Sequence, residues 1–206
     1  MKSKNIYILR HGQTDFNKKG VVQGSGIDAP LNETGRKQAR AFYETYKDIR
    51  FDNIYASFLQ RTHQTVQPFV EGGYSIKKVR GFNEINWGVH EGKSITPESH
   101  NYYANITKRW SEGEVHLPIE GGESPLEVQE RVKDAADKVL SNGDINVLIC
   151  MHGRAMRILL ATLLGYPLSD MDIFPHHNTG LYQLEYDGKS FEVIKFNEHS
   201  HLNGFE

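Results

Sequence analysis

The chain is poor in several things that would otherwise direct its reading. One cysteine, Cys150, stands among 206 residues. An intrachain disulfide is therefore excluded, and a reducing compartment is expected. Cys150 lies in an apolar stretch and is expected to be a buried structural thiol. No apolar run approaches the length of a bilayer span. The run after Met1-Lys2-Ser3-Lys4 meets Arg10-His11 too early to be the core of a signal segment, so the expected location is cytoplasmic, with no membrane partner. With 24 basic and 26 acidic residues the net charge is -2, which gives no bulk attraction for nucleic acid; affinity for an anion has to be local. Linkers rich in proline, glycine or serine, internal repeats and heptads are missing too. One domain over residues 1–206 is the expectation.

What is present is a regular alternation of short apolar runs with longer amphipathic ones, the pattern of an α/β layered fold. Strands are expected at Asn5–Leu9, Ile54–Ala56 and Val147–Met151, with a weaker one at Ile76–Val79 whose Lys77-Lys78 pair suits an edge. Val147-Leu148-Ile149-Cys150-Met151 is a continuous apolar run, as for a strand buried on both faces. Helices are expected at Leu31–Ile49, Phe58–Val70, Ile95–Trp110 and Ala155–Leu164. A further helix runs to Leu140 from a capping box of Ser124 and Glu127. Leu181–Tyr186 and Phe191–Phe196, joined at Asp187-Gly188, read as an edge β-hairpin. The segment 92–118, with Tyr102, Tyr103 and Trp110, can be a cap over a site or a surface element.

Three strand-to-helix junctions carry chemistry: Arg10-His11-Gly12, Ser57 to Arg61, and His152-Gly153. In a parallel sheet these junctions share one edge, where ligands of open α/β sheets bind. Arg10, His11, Arg61 and His152 can therefore converge, and Gly12 and Gly153 let backbone amides approach an anion. Two arginines and two histidines suit a phosphoryl group, with one neutral imidazole as a nucleophile. A metal site is disfavoured, because the arginines oppose a cation and no carboxylate sits at ligand spacing beside either histidine.

Each residue has a plainer reading. Arg61 alone would be a solvated charge, His152 a core histidine, and Glu84 a surface carboxylate with Glu91 as a competitor. Gly121 to Ser124 can be a loop and cap or a substrate contact. His176-His177 and the pair His199 and His201 are expected to be exposed, and Lys108-Arg109 to be a solvated face or a substrate contact.

Taken together, the motifs resemble the histidine phosphatase superfamily, in its phosphoglycerate mutase-like branch. Arg10-His11-Gly12-Gln13-Thr14 with Asn17 is followed by Pro30-Leu31, Thr34-Gly35 and Gln38-Ala39. Next come Ser57-x-Leu59-x-Arg61-Thr62-x-Gln64-Thr65, Glu84-x-x-x-Gly88-x-x-Glu91-Gly92, Gly121-Gly122-Glu123-Ser124 and His152-Gly153. The resemblance implies a three-layer sandwich with a mostly parallel central sheet, an antiparallel edge hairpin and helices on both faces. It implies His11 as the nucleophile that becomes a phosphohistidine, Arg10, Arg61 and His152 as a clamp on phosphoryl oxygens, and Glu84 as proton donor to the leaving group. Asn17, Gln23, Gly24 and Gly153 match positions that line the family's pocket. Arg154 stands where members often have a small or amide residue; it either adds charge for a second substrate anion or faces solvent.

No metal or organic cofactor is implied. The expected partner is a small phosphorylated substrate. The leading function is a phosphomonoesterase, and the alternative is a phosphoglycerate mutase dependent on 2,3-bisphosphoglycerate. A non-catalytic phospho-ligand module is a third reading. The mutases of the family carry a longer segment after the acid, with paired basic residues, for which Lys108-Arg109 is the only stand-in.

Overall fold

The computed structural model describes residues 3–93 and 96–204. Its centre is a six-stranded sheet built from β1 (Lys4–Arg10), β2 (Asn53–Ala56), β3 (Ile76–Lys78), β4 (Asn146–Met151), β5 (Leu181–Tyr186) and β6 (Phe191–Glu198), in the order β3-β2-β4-β1-β5-β6. The first four strands in that order are parallel, and β5 and β6 are antiparallel. β3 is the edge strand that its lysines suggested.

Alternate residues of the central strands enter two cores because the side-chain period of a strand is two. Ile6, Ile8, Val147, Ile149 and Met151 face one core, and Tyr7, Leu9, Leu148 and Cys150 the other. The first core is closed by α5 (Pro125–Leu140) and α6 (Gly153–Leu164), which supply Val128, Val132, Ile158 and Leu159. The second is closed by α2 (Glu33–Tyr46) and α3 (Gln60–Glu71) through Phe42, Tyr46, Val66 and Phe69. Both faces of the sheet are thus covered, and Cys150 is buried.

Local signals set the helix ends. Asn32 caps α2 by accepting the amide of Gly35 at 2.9 Å, and Ser124 and Glu127 close the capping box of α5. Pro68 sits one turn from the end of α3. α4 (Pro97–Ser111) starts at a second capping box, of Thr96 and Ser99; Ile95, placed in this helix from sequence, is outside the described residues. A one-turn helix, α1 (Asp15–Lys18), capped by Thr14, was not anticipated, because four residues carry no period to detect.

Parallel register brings the junctions together. Arg10 is level with Met151 and Ala56 with Cys150, so His11, His152 and Ser57 emerge side by side at one edge of the sheet. Gly12 then passes the start of α2 so closely that a Cβ would lie 2.6 Å from the carbonyl oxygen of Gly35. Only glycine permits that approach.

Candidate active site

His11 is almost fully buried at the floor of a pocket of about 400 Å³. Its Nδ1 is 2.7 Å from the carbonyl oxygen of Gly12, so Nδ1 carries the proton and Nε2 keeps its lone pair. Burial, then Arg61 and Arg10, hold the His11 pKa well below the ordinary histidine value. The ring is therefore neutral. Arg10 also lines the pocket; burial lowers its pKa to about 10, so it stays a cation, and its Nε is buried without a partner.

His152 and Arg61 lie behind this floor, both without solvent exposure. The rings of His11 and His152 are 5.1 Å apart. Arg61 donates from Nε to His152 Nδ1 at 3.1 Å, from Nη1 to the Ile27 carbonyl at 2.7 Å and from Nη2 to the Gly24 carbonyl at 3.1 Å. Nε2 of His152 donates to Ser57 Oγ at 2.8 Å. In this geometry Gly24 holds Arg61 through its backbone and is not part of the pocket wall. A Cβ there would meet Glu91 Oε1 at 2.0 Å. That contact also shows what Glu91 does: it packs under this loop and accepts the amide of Trp87 at 2.9 Å.

Glu84 is buried at the pocket edge, against the first turn of α6. Its Oε1 accepts the amides of Ile85 and Ala155 at 3.0 and 2.9 Å, and its Oε2 accepts that of Arg154 at 3.2 Å. A carboxyl group has four lone-pair positions. Three are filled, and the fourth, on Oε2, is open to a proton. The loop carrying Glu84 is pinned from behind by Arg131, which donates to the carbonyls of Gly81, Asn83 and Glu84 and forms a two-pronged ion pair with Glu123. Gly121 to Ser124 thus acts as a loop and cap that positions Glu84.

Asn17 and Gln23 also line the pocket. Asn17 Oδ1 accepts the amide of Thr14 at 3.1 Å, and Gln23 donates to Thr14 Oγ1 at 2.6 Å while its buried Oε1 has no partner. Gly153 lines the pocket, and a Cβ there would lie 3.0 Å from the His176 ring.

Arg154 does not face solvent. It is 5% exposed, lines the pocket, pairs with Asp172 at 2.6 Å and donates to Tyr103 Oη at 3.2 Å. Lys108 and Arg109, by contrast, are exposed on α4 and pair with Glu112 and Glu114.

Two expectations fail: His201 is half-buried, and His176 is not exposed. It lines the pocket, and burial and the nearby Arg10 lower its pKa to about 2. Its carbonyl receives Arg10 Nη1 at 3.4 Å. No motif surrounded it in the sequence, since its place depends on the loop before β5, which Thr179 and Asn178 tie to the carbonyls of Arg10 and His11. His177 stacks on His199, both exposed, and the half-buried His201 meets Thr179.

Residues 6–199 match the model of the histidine phosphatase superfamily (branch 1). The chain belongs to that superfamily. It is 28% identical to "Phosphoserine phosphatase 1" of Hydrogenobacter thermophilus over 202 residues, covering 97% of this chain and 95% of that one. It is 31% identical to "Probable phosphoglycerate mutase GpmB" of Yersinia pestis over 186 residues, covering 88% and 84%. Among solved structures, a mycobacterial glucosyl-3-phosphoglycerate phosphatase bound to VO3 superposes with a TM-score of 0.82 at 27% identity, over 94% of this chain and 98% of that one. This histidine phosphatase superfamily member is accordingly an enzyme of the phosphatase or phosphoglycerate mutase-like type. None of its described helices is long and apolar enough to cross a membrane.

Proposed function

We propose that this histidine phosphatase superfamily member is a phosphomonoesterase acting on a small phosphorylated metabolite through a phosphohistidine on His11. The observation that carries the reading is the hydrogen bond from His11 Nδ1 to the Gly12 carbonyl, which leaves Nε2 unprotonated in a pocket-lining ring beside Arg10. Nε2 attacks phosphorus, and the bond from phosphorus to the leaving oxygen breaks. Glu84 Oε2 supplies the proton that the leaving oxygen takes. In the second step the Glu84 carboxylate takes a proton from water, whose oxygen displaces phosphate from His11. Arg10 supplies positive charge and hydrogen bonds for the phosphoryl oxygens, and Arg61, behind it, adds fixed positive charge while it holds the neutral His152 in place. Asn17, Gln23 and the backbone at Gly153 complete the phosphate pocket.

The transfer back to substrate that a mutase performs is the weaker reading. Lys108 and Arg109, the paired basic residues that would hold a substrate carboxylate, point away into surface ion pairs. In the proposed enzyme the cap expected within 92–118 is supplied by α4, whose Ser99, His100, Tyr102 and Tyr103 all line the pocket. A cytoplasmic setting accords with the single free thiol.

The test is His11→Ala. Turnover of p-nitrophenyl phosphate and trapping of labelled phosphate on the protein should both vanish. Labelling retained in that variant would end the assignment. Conversion of 3- to 2-phosphoglycerate, primed by bisphosphoglycerate and faster than phosphate release, would establish the mutase instead.

A further inference from the structure

The pocket is larger than a phosphoryl group needs, and its outer half is aromatic. At about 400 Å³ it falls in the size range of sites for small organic ligands. Trp87, 6% exposed, lies against Tyr103 with ring centroids 5.1 Å apart, and His90 stacks on Tyr102 at 3.9 Å with the rings 21° from parallel. Val21 and Val22 add aliphatic surface. Ring faces of this kind hold a flat apolar group.

The charges in the wall narrow the ligand further. Among the described lining residues Glu84 is the single carboxylate; three backbone amides fill all but one of its lone-pair positions, and that one, on Oε2, is the position assigned to the proton for the leaving oxygen. Arg154 pairs with Asp172 at 2.6 Å, a carboxylate it shares with Arg157, and one further donor is engaged by Tyr103. Lys93, at the rim, is exposed, and a charge there is screened by water. A substrate ammonium finds no free carboxylate among the described lining residues, and burying such a group unpaired is costly.

We infer that the substrate is a monophosphate ester of a flat, aromatic or similarly unsaturated alcohol without a cationic group, whose ring lies along the walls made by Trp87 with Tyr103 and His90 with Tyr102. The inference rests on the phosphatase reading and adds the class of leaving group to it. Tyr102 is a specificity residue in this account: its ring supplies a face, while its hydroxyl only receives the amide of Glu120 at 3.2 Å.

Benzyl phosphate and glycerol 3-phosphate both expel an alkoxide, so their comparison isolates the group that is bound from the ease of the chemistry. The wild-type kcat/KM for benzyl phosphate should exceed that for glycerol 3-phosphate by about 10-fold or more. In Tyr102→Ala that ratio should fall about 5-fold, mainly through KM for benzyl phosphate, whereas Tyr102→Phe, which keeps the ring, should retain it. Phosphoserine and 3-phosphoglycerate should rank with glycerol 3-phosphate. If any of these three equals benzyl phosphate, or if Tyr102→Ala keeps the ratio, the inference is overturned while the phosphatase stands. If no ester is hydrolysed and no phosphohistidine forms, the phosphatase reading itself fails.

Discussion

Arg61 donates its Nε–H to Nδ1 of His152 at 3.1 Å, and this bond determines which nitrogen of the His152 ring carries the proton. Nε2 is then the donor, and it is spent on Ser57 Oγ at 2.8 Å. Burial, then Arg61, His11 and Arg10, hold the His152 pKa well below the ordinary value, so the ring stays neutral.

Ser57→Ala removes the acceptor of that donor and leaves a buried N–H unpaired. Stability should drop by ~1–3 kcal/mol in urea denaturation. The kcat on p-nitrophenyl phosphate should fall about 10-fold or more, because His152 is no longer oriented toward the floor of the pocket. Nitrogen-15 NMR of the imidazoles should show the His152 Nε2–H resonance displaced, and Ser57→Thr should recover part of both losses. Unchanged kcat together with an unchanged Nε2 signal would show that Ser57 does not orient the ring.

The buried histidines make stability depend on pH with a definite sign. His11 and His152 are held well below the ordinary value, His176 at about 2 and His201 at about 4, in each case mainly by burial. In the unfolded chain all four bind protons as the pH falls through about 6.5. The folded state does not, so it is fully stable above that value and loses stability below it, by up to about 1.4 kcal/mol per pH unit for each such histidine. Urea midpoints should therefore fall steadily between pH 7 and pH 5. His176→Gln should make that fall shallower. A flat profile over this range would contradict the burial of these rings as neutral groups.

Arg131 is placed to act through Glu84, since its guanidinium spans three carbonyls of the Glu84 loop and Glu123. Arg131→Met should lower kcat more than it changes KM. An alkyl phosphate, which needs its leaving oxygen protonated, should lose about 10-fold more activity than p-nitrophenyl phosphate, whose leaving group needs no acid. Equal losses on the two esters would mark Arg131 as structural support with no bearing on the acid.

Much of this molecule was legible in its order of residues. The alternation of apolar runs located all six strands, and the capping box of Ser124 and Glu127 set the start of α5 because a cap is a contact between near neighbours. The junction residues Arg10, His11, Ser57, Arg61 and His152 were legible as one cluster, because parallel strands end at one edge whatever lies between them. His176 was misread, and Arg131 was passed over, because their partners come from remote chain segments: the loop at Arg10 for His176, and the Glu84 loop for Arg131.

The same division runs through the Arg10-His11-Gly12 motif and its neighbour Arg154. By itself the sequence determined that a histidine and an arginine leave a buried strand together. Only the tertiary structure decided that His11 Nε2 is the free nitrogen, that Glu84 has one open position on Oε2, and that Arg154 shares the Asp172 carboxylate with Arg157. A residue type sets which bonds a side chain can make, but the partner that takes up each bond arrives only when distant segments pack.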